Sequence, residues 1–153
     1  MKLADESVPQ RVVEQLLSEW NALRVTEAYR RRNFTALRDE ALARWNARGP
    51  HNDSDQHFVQ HRMSRGASAL AEALEMEERS DVMYASCVED FDSVSSLDEK
   101  YRHKMLAKIQ SVCQRAINEG MRYRTTVVST FQYEVKELIE FVDERLKEID
   151  AAG

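Results

Sequence analysis

The chain has 153 residues and a net charge of −5, with 32% charged and 42% apolar residues but only four Gly and two Pro. That length suits one ordinary domain, and such sparse punctuation excludes a many-stranded sheet in favour of a few long elements. The acidic balance excludes a global pull toward nucleic acid or an anionic membrane, and no stretch approaches the roughly 20 apolar residues of a membrane span.

A first helix is expected over about 8–48. Ser7 can cap it, Gln10 can complete a capping box, and Pro9 falls inside the first turn, where its missing N–H is not needed. Val13, Leu16, Trp20 and Leu23 recur at helical spacing, and Phe34, Leu37 and Ala41 resume the stripe. Between them stands the only compact basic run, Arg30-Arg31-Arg32, with Arg24 and Arg38 nearby. It could track a phosphate backbone, but Glu27, Asp39 and Glu40 flank it, so a polar interruption or a docking spot for an acidic protein is favoured over nucleic acid.

Gly49-Pro50 ends that helix, and the polar run from His51 to Asp55 reads as a connection, with Asp53 or Ser54 capping the next helix. The second helix is expected over 56–92. Its seam of Ala69, Ala73, Met76, Ser80, Met83, Cys87 and Val94 keeps heptad spacing but is thin, small and partly polar, so alone it would pack weakly. His57 and His61 lie four apart on one face and are the candidate metal ligands, beside Asp53 and Asp55. A solvated helix start is the plainer reading, because no Glu stands between the pair to complete a zinc-protease motif. The dense acids of this helix lack the Glu-x-x-His pattern of a di-iron bundle.

Asp92 to Ser96 breaks the periodicity, and Ser96-Leu97-Asp98-Glu99 forms a second capping box for a helix over 97–150. This last helix is read as one rod about 75 Å long if unbroken, or as two helices divided at Gly120. Continuity is preferred, with Gly120 at a close helix contact, and the β-branched run Thr125–Thr130 stays helical because apolar spacing on both sides outweighs it. Residues 66–100 carry a local charge of −8 and residues 101–128 one of +5, which favours antiparallel pairing across the turn. A turn near 94–95 sets position 87 opposite about 102. It leaves Cys87 and Cys113 several turns apart, as buried free thiols beyond disulfide reach.

The fold expected is therefore all-α: three long amphipathic helices, or four, in an elongated antiparallel bundle or coiled-coil hairpin forming one domain over 1–153. Apolar residues run farther along these helices than a single partner helix could cover. Trp20, Leu23, Phe131, Val135, Leu138, Val142 and Leu146 are the expected interface residues. No Gly-rich phosphate loop, nucleophile elbow or Cys–His pair is found, so no catalytic residue and no cofactor is assigned. The function expected is that of a non-enzymatic helical subunit or adaptor packing against protein partners in a larger assembly or a homo-oligomer. A metal- or ligand-binding bundle is the alternative. The N-terminal Met-Lys-Leu-Ala-Asp-Glu-Ser has no signal or transit character, which points to the cytoplasm.

Four short runs, in order, carry a resemblance: Arg38-Asp39-Glu40 through Trp45-Asn46; Leu70-x-Glu72-x-Leu74; Asp81 through Cys87-Val88; and Phe141-Val142-Asp143-Glu144-Arg145. Over about two-thirds of its length the chain resembles the small coiled-coil-domain proteins of the mitochondrial intermembrane space linked to protein import. The resemblance implies an import-related helical protein and a mitochondrial address without a cleaved presequence. Cys87 falls on a family cysteine and Cys113 does not, a departure from the family's oxidative import route.

Overall fold

The computed structural model describes residues 7–152, with the backbone alone for positions 7 and 8. The expected Ser7 cap therefore lies outside the described side chains. Among the described residues every regular element is helical: α1 (Ser7–Ala47), α2 (Asp53–Asp92), α3 (Glu99–Arg115) and α4 (Met121–Ala152). The protein is an all-α helical bundle, and no helix is long and apolar enough to cross a membrane among the described residues.

Local chemistry sets each boundary. Arg48 N–H and Gly49 N–H reach back three residues to the carbonyls of Trp45 and Asn46, tightening the end of α1 before Pro50. The cap of α2 is Asn52, not Asp53 or Ser54. Its side-chain oxygen accepts from Asp55 N–H at 2.8 Å while its amide donates to the Asp55 carboxylate at 3.2 Å, a reciprocal pair that starts the helix three residues early. The second capping box does not form. Ser96 belongs to a single 3₁₀ turn, Val94–Ser96, and donates to Ser93 carbonyl at 2.7 Å. Asp98 takes the cap position in extended conformation without a side-chain hydrogen bond. Val94, fully buried, plugs the joint.

Between α3 and α4 the backbone never leaves helical territory. Ala116–Gly120 makes one π turn, flanked by αR residues on both sides, so the last helix continues through Gly120. The expected close contact there is absent: a Cβ at Gly120 would meet nothing within 4 Å. Gly66, unpredicted, takes that role instead, since a Cβ there would stand 3.7 Å from Glu134 Cβ and 3.8 Å from the Phe131 ring.

The chain divides into two units, and α1, α2 and the last helix contribute to both. Unit 1 comprises residues 1–26 and 75–124, and unit 2 residues 27–74 and 125–153. The core of unit 1 gathers Val13, Leu17 and Trp20 from α1, Cys87 from α2, Leu106, Ile109 and Cys113 from α3, and Met121. Trp20 is fixed on two sides, edge-on to Tyr84 with centroids 5.3 Å apart and donating to Ser80 Oγ at 3.3 Å.

Cys87 and Cys113 are buried free thiols, as expected, and both belong to this cluster. The joint runs from Ser93 to Asp98, longer than a turn at 94–95, and Cys87 acts electrostatically on Cys113. Burial pushes the Cys113 thiol up to about 11, with Cys87 adding to the effect.

In unit 2 two smaller clusters form, one around Trp45, Val59, Leu138 and Val142, the other around Ala69, Phe131 and Val135. Ion pairs and polar contacts fix the helix directions. Arg30 reaches Gln132 and Arg44 reaches Asp143, so α1 and α4 run parallel; Asp55 meets Arg145 and Arg62 meets Glu134, so α2 runs antiparallel to α4. Two buried acids are held by arginine: Glu27 by Arg30 at 2.8 Å, and Glu134 by Arg62 at 3.0 Å and Arg65 at 3.3 Å. The hydrogen bond to Glu134 raises the Arg62 guanidinium above its ordinary value.

Candidate functional site

The residues expected to form an interface are interior. Trp20, Phe131, Val135, Leu138 and Val142 are each at most 2% exposed, and Leu23 and Leu146 pack half-buried against the same cores. The expectation treated the last helix as facing a single partner helix. In unit 2, α4 touches α1 and α2 together, and two neighbours cover an apolar stripe that one could not.

Part of the basic run is also absorbed. Arg30 is committed to Glu27, Ser129 and Gln132, which removes it from any phosphate surface. His57 and His61 do stack on one face with centroids 6.4 Å apart. His51, however, lies flat against Trp45 at 3.4 Å and donates from Nε2 to the Trp45 carbonyl, and Asp55 is engaged by Arg145. Among the described residues no group of three or more His, Cys, Asp or Glu side chains is placed to hold a metal.

The feature that stands out lies in unit 1, a recess of ≈ 470 Å³ between α2 and the segment from α3 into α4, with Trp20 of α1 also on its wall. Met76 and Met83 of α2, Val112 and Ala116, and Met121 supply the remaining apolar lining. Its polar groups are Ser80, Ser111, one carboxylate (Glu119) and three guanidiniums (Arg79, Arg115 and Arg124). The π turn contributes Ala116, Glu119 and Gly120, and the open space beside Gly120 belongs to this mouth. Met83 is 43% exposed, so the apolar wall continues out to solvent.

Electrostatics differ along the lining. Arg124 is 2% exposed, with its guanidinium 3.7 Å from Glu77, whereas Arg79 is solvated and paired with Glu75 at 2.7 Å. Arg115 and Glu119 form no ion pair among the described residues. Among the described residues the lining has no His or Cys. What this arrangement offers is shape, apolar surface and fixed charge. Thioethers suit such a surface because Met is flexible and polarizable and adapts to different guests. A smaller hollow in unit 2 is lined by Arg65, Glu72 and Glu134 together with Ala69 and Val127, and its Glu134 is already held by two arginines.

Met76, Ser80 and Met83 belong to the small, partly polar seam expected to pack weakly, and this is where the recess opens. Sequence reasoning missed Arg115, Met121 and Arg124, which come together only when α3 and α4 continue through the π turn opposite that seam. The chain matches no protein-family model, no curated protein and no solved structure.

Proposed function

We propose that the chain is a non-enzymatic helical subunit or adaptor, and that it works by receiving an apolar part of a partner protein in the recess of unit 1. One observation carries this reading: a half-open apolar recess, lined by a fixed tryptophan and three methionines, in a chain whose other large apolar side chains are mostly consumed by its own core. Its volume falls within the range typical of ligand sites, about 300–1,000 Å³, and its lining is apolar with a few polar groups around it. Less supports the metal-binding alternative, because among the described residues His57 and His61 have no third donor with them.

A cytoplasmic address goes with the proposal, since two buried free thiols suit a reducing compartment. The mitochondrial address implied by the resemblance is the alternative, and cell fractionation separates the two.

The recess reading is tested with a photo-crosslinking residue in place of Met83, in cells that naturally contain the protein. Discrete heteromeric adducts are expected, and they should vanish when Ala116→Trp fills the recess in the same chain. Adducts that persist unchanged in the filled variant, or none at all beyond the chain itself, would overturn it.

A further inference from the structure

The rim of the recess continues along α3 as a strip of positive charge. Lys100, Lys104, Lys108 and Arg115 recur at spacings of four, four and seven, which keeps them on one side of the helix. All four are exposed, and none forms an ion pair among the described residues. The contrast within unit 1 is informative: Arg24 is paired with Asp81, Arg79 with Glu75 and Arg124 lies beside Glu77, all on the acidic helix α2. The strip instead leaves its cations to solvent although α2 is rich in acid. The acids around it stand mostly at its two ends, Asp98 and Glu99 before Lys100, with Glu99 4.0 Å from His103, and Glu119 at the recess, while Asp90 of α2 acts on Cys87 together with Lys108. Lys100 moreover occupies the first turn of α3, where the helix dipole disfavours a cation and favours an anion.

From Lys100 to Arg115 the strip extends about 22 Å at 1.5 Å per residue, four turns of helix, and Arg115 itself lines the recess. We infer that the occupant of this face is an amphipathic helix of a partner protein, acidic along one edge, which lays its carboxylates on α3 and inserts an apolar side chain between Met83 and Val112. This rests on the recess reading of the proposed function and adds the chemistry of the partner. The match is helix-in-groove recognition, in which apolar anchors supply affinity and the charged edge sets register and association rate.

The test uses the full chain and a displayed library of helical peptides of about 20 residues, apolar on one face, with flanking positions randomised among Glu, Lys and Ser. Selected peptides are counter-screened on the Ala116→Trp chain, so that only recess binders count, and circular dichroism checks that each protein variant is folded. The expected result is enrichment of Glu on the flanks. Enriched peptides should bind about tenfold more weakly to a Lys104→Glu, Lys108→Glu double variant, and lose affinity as salt is raised. Recess-dependent peptides with neutral or Lys flanks, or with unchanged affinity for the double variant, would overturn the acidic-helix inference and leave the recess reading standing. If no peptide is sensitive to Ala116→Trp, the recess reading itself fails and the inference falls with it.

Discussion

Nη1 of Arg30 donates to both carboxylate oxygens of Glu27, at 2.9 and 2.8 Å, one turn away on the same helix. Thr125 of α4 adds its hydroxyl to that carboxylate at 3.1 Å, while Nη2 of Arg30 goes to Ser129 and Gln132. One arginine of a three-arginine run thus joins two parallel helices inside unit 2. Removing the acid leaves a partly buried cation and a hydroxyl without their acceptor. Glu27→Ala should lower unfolding stability by about 2–3 kcal/mol, with a smaller loss for Glu27→Gln, read from urea midpoints.

Phe131 distinguishes the core from the expected interface. It is fully buried in the cluster with Ala69 and Val135, so Phe131→Ala should cost about 3–5 kcal/mol in the isolated chain. Had it been an interface residue, truncation would leave stability almost unchanged and alter association alone. Thermal unfolding of the variant at two protein concentrations separates the cases.

Gly66 sits inside α2 with room for a methyl group, since the nearest atoms to an added Cβ stand at 3.7–3.8 Å, ordinary contact distance. Glycine in a helix interior costs about 1 kcal/mol relative to alanine. Gly66→Ala should therefore stabilise the chain by up to about 1 kcal/mol and raise Tm. A drop in Tm would mean that this approach of α2 to Phe131 and Glu134 is tighter than ordinary contact.

The Cys113 thiol predicts a loss of stability in alkali. Its pKa is raised to about 11 in the fold, from an ordinary value of 9.0, because burial penalises the thiolate. Between those values the unfolded chain has released a proton that the folded chain retains, so stability falls as pH rises from about 9 toward 11. Cys113→Ala should flatten that slope, measured as urea midpoints across the range. In the intact fold the thiol should also resist alkylation near pH 8 until the chain is unfolded.

Fold class was legible in the sequence because helix formation is written locally. Four Gly and two Pro, an apolar period near 3.6, and the Gly49-Pro50 stop determined three long helical paths and their joints to within a few residues. The buried free thiols and the continuity of the last helix through Gly120 followed from the same periodicity.

Which neighbour covers each stripe is a different kind of question, because burial depends on residues far apart in the chain. Val135 and Leu138 read the same along α4 whether a partner protein or α1 and α2 cover them, and only the tertiary arrangement chose the latter. Arg30 read as part of a polar interruption or an acidic docking spot until Gln132, about a hundred positions away, came within hydrogen-bonding distance. The recess has the same origin: a small, partly polar seam on α2 becomes a cavity because a π turn stands across from it. The sequence by itself determined where the backbone coils, since each turn is closed by bonds among near neighbours. The tertiary structure alone decided what is core, what is paired and what is left open, since those depend on the long-range company each side chain keeps.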